Sequence, residues 1–71
     1  MKRELLLSAI RRWCRKNGVA VRVSVVGGKG THMRVYVGSD RVTTVKSGDL
    51  SPIYVGLVLK QLDIPGEAIR R

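Results

Sequence analysis

The chain has a single histidine, and it closes a glycine-rich stretch, Gly27-Gly28-Lys29-Gly30-Thr31-His32. An imidazole titrates near neutral pH, so it can take or give a proton while a phosphodiester is cleaved. Glycines let backbone N–H groups approach an anion closely, and Lys29 adds a positive charge. With Arg34 two residues further on, these are residue types suited to a ribose-phosphate: His32 for proton transfer, Lys29 and Arg34 for holding phosphate and stabilising developing negative charge. The stretch is not a P-loop, because the GxxxxGKS/T spacing is absent and no helical pattern follows it. Other chemistries find no residues to carry them. No Ser/His/Asp arrangement and no paired carboxylates stand near His32, and one histidine without a cysteine pair or a neighbouring carboxylate makes no metal site. No cofactor is expected.

Charge is the strongest bulk signal. Fourteen Lys and Arg against five Asp and Glu give a net charge of +9 over 71 residues. Before Asp40 the only acid is Glu4, against nine bases. Such a surface attracts polyanions, with a long-range part that salt screens. The expected partners are nucleic acid or an acidic protein. The one cysteine, Cys14, cannot form an internal disulfide; beside Trp13 in an amphipathic pattern, it reads as a small buried or half-buried hydrophobe in a reducing, cytoplasmic setting. The run Leu5-Leu6-Leu7 is too short for a signal peptide and is broken by Arg11 and Arg12, and no apolar stretch is long enough to span a membrane.

The elements that must position His32 follow from periodicity. Residues 3 to 17 read as a helix with Leu6, Ala9, Ile10 and Trp13 on its apolar face and Asn17-Gly18 as its stop. Its other face carries Arg11, Arg12, Arg15 and Lys16. Val19 to Val26 reads as a strand, with Val19, Val21, Val23 and Val25 on a face to be buried against helices. Thr31 to Val37 is a second strand. It buries Met33, Val35 and Val37 and turns His32, Arg34 and Tyr36 to the more polar side. After Gly38-Ser39-Asp40 comes a third strand, Arg41 to Lys46, and two short connections in succession favour an antiparallel meander. A loop through Leu50 leads to Ser51-Pro52, which opens a second helix with Val55, Val58, Leu59 and Leu62 inward. Gly56, in its middle, suggests a close helix–sheet approach. Pro65-Gly66 ends that helix, and the tail forms one more short turn. The expectation is one α+β domain over residues 1–71, ordered α-β-β-β-α. Both helices cover one face of a three-stranded antiparallel sheet and leave the other open.

Gly28-Lys29-Gly30-Thr31-His32 resembles the G-x-G-S/T-H motif of the HicA family of small mRNA interferase toxins. The helix ending at Asn17-Gly18, the strand after it, the Ser47 to Pro52 loop and Leu57-Val58-Leu59-Lys60-Gln61-Leu62 also follow that family's pattern, so the resemblance covers nearly the whole chain. Met33 departs from it, since family members often carry a polar or aromatic residue straight after the histidine. The resemblance implies a fold like the double-stranded-RNA-binding domain. It implies the toxin of a type II toxin–antitoxin system, acting as a metal-independent mRNA endonuclease, with His32 catalytic and Gly28, Gly30 and Thr31 shaping its loop. It also implies neutralisation by a cognate HicB-type antitoxin protein. The residues alone leave two alternatives: a non-catalytic RNA-binding module of the same fold, and a protein-interaction module whose basic surface meets an acidic partner.

Overall fold

Leu6, Ala9, Ile10 and Cys14 recur at helical spacing, and all are buried along one side of α1, Arg3–Lys16. Glu4 in the first turn and Arg15 and Lys16 in the last suit the helix dipole. The helix closes at Asn17-Gly18 as the sequence suggests. Gly18 takes φ +68°, and the Val19 N–H turns back to the Cys14 carbonyl at 2.8 Å. Two details differ from expectation. Trp13, expected on the apolar face, packs only partly against the core while Cys14 is buried as its pattern suggests, and Val19 belongs to the helix end rather than to the strand.

The computed structural model describes residues 1–26 and 32–69. Gly28, Lys29, Gly30 and Thr31 therefore lie outside the described residues. Three strands follow α1: β1, Val21–Val26, β2, His32–Val37, and β3, Arg41–Lys46. They form an antiparallel sheet in the order β1-β2-β3. Val23 opposes Val35, which opposes Thr43; Val21 opposes Val37, which opposes Arg41. Directly opposed residues share a face, so this is the side on which Val35, Val37 and Val45 are buried.

Helix α2, Pro52–Gln61, starts where Ser51 Oγ accepts the Tyr54 N–H at 3.2 Å, with Pro52 in the first turn. It buries Val55, Val58 and Leu59, and Leu62 just beyond its end is fully buried. The Thr43 hydroxyl, on the inner face of β3, donates to Gln61 Oε1 and ties the far end of α2 to the sheet. A short 3₁₀ turn, Gly66–Ile69, then packs Ala68 and Ile69 against the core beside α1. One hydrophobic cluster joins Leu6, Ile10 and Cys14 of α1 to Val55, Val58 and Leu59 of α2 through Val35, Val37 and Val45. The fold is the expected α+β order α-β-β-β-α, with both helices on one face of the sheet.

Three features were not anticipated. The valine face of β1 is only partly covered: Val21 and Val23 are half-buried and Val25 is 55 % exposed. β1 is an edge strand, and the helical layer is centred on β2 and β3. Gly56 marks no close approach, since a Cβ there would meet nothing within 4 Å. The segment around Asp49 is more than a loop. Lys2 pairs with Asp49 in an antiparallel bridge, and the Arg3 N–H donates to the Gly48 carbonyl at 3.2 Å.

The end of α2 repeats the device that ends α1. The Ile64 N–H reaches back to the Leu59 carbonyl at 2.8 Å around Asp63, which takes φ 58° in place of a glycine. The Asp63 carboxylate accepts from Arg41 Nη1 at 3.4 Å. That carboxylate is 86 % exposed, so the ion pair contributes little to stability and mainly sets where the Arg41 side chain lies.

Candidate nucleic-acid interface

The register fixes which side chains share the uncovered face. Arg22 opposes Tyr36 and Tyr36 opposes Val42; Ser24 opposes Arg34 and Arg34 opposes Thr44; His32 opposes Lys46. These make three successive cross-strand rows, about 7 Å apart along the strands. His32, Arg34, Val42, Thr44 and Lys46 are exposed, Arg22 and Ser24 likewise, and Tyr36 is half-buried. The sequence placed His32 and Arg34 together on the more polar side, and the structure places them on that face in adjacent rows.

Lys46 is the residue that sequence reasoning missed. Its N–H donates to the Tyr54 hydroxyl at 3.1 Å, and that hydroxyl donates to the Thr44 carbonyl at 3.2 Å. The main-chain groups of Lys46 and Thr44 therefore point away from β2. In an antiparallel ladder, that makes His32/Lys46 and Arg34/Thr44 the closer, non-hydrogen-bonded kind of pair at the main chain, while the Lys46 ammonium itself lies toward the β3 edge, over the Tyr54 ring. The signal was available. The three residues Gly38-Ser39-Asp40 set Val37 opposite Arg41, and counting back along both strands brings Lys46 to His32.

Two of the three cations in these rows lie over aromatic rings. The Arg22 guanidinium carbon lies 4.7 Å from the centroid of the Tyr36 ring, and Lys46 Nζ lies 5.0 Å from that of Tyr54. Tyr36 sits two rows from His32, about 13 Å along β2, too far to exchange a proton with the group His32 would serve. No carboxylate stands in the described rows. Asp40 and Asp63 flank Arg41 instead, which belongs to the helix-covered face. The face is thus a cationic strip of Arg22, Arg34 and Lys46 with His32 at the end where β1 passes to β2. Such a surface suits a phosphate backbone, and the Arg22–Tyr36 stack offers a flat platform to an unpaired base.

Among the described residues, no three His, Cys, Asp or Glu side chains converge as metal ligands, and no helix is long and apolar enough to cross a membrane. No family model matches the chain, and no curated protein or solved structure matches it either.

Proposed function

We propose that this protein is a metal-independent RNA endonuclease of the HicA-like toxin type, with mRNA as substrate and His32 as its catalytic residue. The observation that supports the reading best is the row His32–Lys46, with Arg34 in the next row, on an open face free of carboxylates among its described residues. In this reading His32 takes the proton of a ribose 2′-hydroxyl. The 2′-oxygen attacks the adjacent phosphorus, the 5′-oxygen leaves and takes a proton from water, and a 2′,3′-cyclic phosphate remains. Lys46 and Arg34 stabilise the charge that builds on the phosphoryl oxygens. The same reading assigns Lys29 a share in holding that phosphate and Gly28, Gly30 and Thr31 the forming of the loop before His32. The reading carries with it a cytoplasmic site of action and a neutralising HicB-type antitoxin protein.

The test is single-stranded RNA incubated with the purified chain and excess chelator, wild type beside His32→Ala. Cleavage by wild type alone is expected, with products ending in a cyclic phosphate. Cleavage by His32→Ala at the wild-type rate would remove His32 from the mechanism. The second reading, a non-catalytic RNA-binding module, draws on the Arg22–Tyr36 stack, which can hold a base without any role for His32. RNA bound but left full length by wild type would select it.

A further inference from the structure

The two edges of the sheet differ. At the β3 edge the Tyr54 hydroxyl takes up the Lys46 N–H and the Thr44 carbonyl. The β1 edge has no such cover among the described residues. The Ala20 carbonyl accepts the Gly38 N–H at 2.8 Å, so Ala20 faces β2, and by alternation Val21, Val23 and Val25 turn their N–H and C=O groups outward. The strand carries no proline, and its pairing with β2 runs in unbroken register, so two devices that blunt an edge are lacking.

Beside this edge runs a groove of about 530 Å³. Its floor is the half-buried Val19, Val21 and Val23, and Arg11 and Arg15 of α1 and Arg22 of β1 form its rim. Three properties coincide here: main-chain donors and acceptors with no partner among the described residues, an apolar floor and a cationic rim. RNA uses only the last. Its phosphates gain nothing from valines and are repelled by outward carbonyls. A second copy fits poorly too, because edge-to-edge pairing would set the arginine rims of two +9 chains against each other.

From this we infer that the β1 edge is a docking site for an extended acidic segment of another protein, which adds to the sheet as a fourth strand. Its main chain pairs with Val21, Val23 and Val25, its apolar side chains lie on the valines, and its carboxylates meet Arg11 and Arg15. The inference goes beyond the RNA reading and does not rest on it: Arg22 alone borders both surfaces, and the edge amides, the valines, Arg11 and Arg15 belong only to the groove.

The probe is a blocked alternating Glu-Val octapeptide, titrated at low salt into the ¹⁵N-labelled full chain. Exchange of the Val21, Val23 and Val25 amides is expected to slow about tenfold or more at saturation. The same peptide N-methylated at alternate residues keeps its charge but cannot pair, and is expected to give no slowing. Arg11→Gln/Arg15→Gln, both exposed helix positions outside the proposed RNA machinery, should weaken the octapeptide while the circular dichroism spectrum stays unchanged. Equal protection by the N-methylated peptide would overturn strand addition in favour of charge alone. Equal protection of the same amides by an oligouridylate would reassign the groove to RNA. Protection already present in the free protein, together with a dimeric mass in sedimentation, would give the edge to a second copy. None of these outcomes depends on whether RNA is cleaved.

Discussion

Tyr54 and Lys46 are joined twice: the tyrosine hydroxyl accepts the lysine main-chain N–H at 3.1 Å, and the tyrosine ring lies under the lysine ammonium, 5.0 Å from centroid to Nζ. One side chain from the first turn of α2 thus fixes both the backbone and the charge of the strand residue opposite His32. Tyr54→Phe keeps the ring and deletes the hydroxyl. The expected loss is about 1 kcal/mol, a fall in melting temperature of about 4–8 °C for a domain of this size, read by thermal denaturation. Faster exchange of the Lys46 amide should accompany it.

The same substitution at two glycines should have opposite signs. Gly18 sits at φ +68° where α1 ends, and Gly56 lies inside α2; in both places an added Cβ meets nothing within 4 Å. Crowding is therefore absent from either outcome, and backbone conformation decides. Gly18→Ala is expected to destabilise by about 1 kcal/mol, because an L-residue is strained in the left-handed region. Gly56→Ala is expected to stabilise by about 1 kcal/mol through helix propensity. Denaturant midpoints of the two variants, compared at constant slope, check both.

The cations of the open face should separate binding from chemistry. Lys46→Met and Arg34→Gln each remove one charge from the rows around His32. If each contacts one phosphate, the slope of log affinity against log salt should become shallower by about 0.7 per variant, the value for a single strand. If each also stabilises the transition state, the cleavage rate at saturating RNA should fall about 10²-fold. His32→Ala should abolish cleavage while leaving the salt slope nearly unchanged. Fluorescence anisotropy at several salt concentrations and a single-turnover cleavage assay supply the two readouts.

Cys14 should give the fold a dependence on alkaline pH. Burial raises its thiol above the ordinary 9.0, an effect only partly offset by the positive charge of Arg41. The thiol is thus favoured in the folded state and ionises first in the unfolded chain. As pH rises past 9.0 the unfolded state releases a proton that the native state keeps, and stability falls; below 9.0 the contribution is fully present. Wild type should lose stability between pH 8.5 and 10 more steeply than Cys14→Ala. The variant should be less stable at neutral pH, because it leaves a small cavity at a fully buried position. Thiol reagents should label Cys14 only as fast as the chain opens.

Much of this was legible in the residues. Periodicity placed both helices and all three strands, because each element buries one stripe or one face and the apolar residues mark it. Asn17-Gly18 and Ser51-Pro52 announced the end of one helix and the start of the other through local backbone chemistry, which depends little on the rest of the fold. Coverage was not legible. Val19, Val21, Val23 and Val25 carry an inward pattern, yet which strand the helices cover is settled by tertiary packing, and β1 received little of it. Nor could periodicity show that Lys2 pairs with Asp49, since a single bridge leaves no repeating signature. For the candidate site, His32 and Arg34 were found by alternation within one strand. Lys46 required register between two strands, and Tyr54 required knowing which helix turn reaches the sheet edge.

The turn Gly38-Ser39-Asp40 has a consequence for how such a chain can vary. Its length alone decides which residue of each adjacent pair in β3 faces the core. One added or lost residue there would exchange Val45 for Lys46 and Thr43 for Thr44 across the sheet, placing a cation in the hydrophobic layer and taking it from beside His32. Interior and exterior are read in the same frame. A length change in this hairpin is therefore a frameshift in space, and natural variants should keep the spacing from His32 to Lys46 even where the turn's own residues drift.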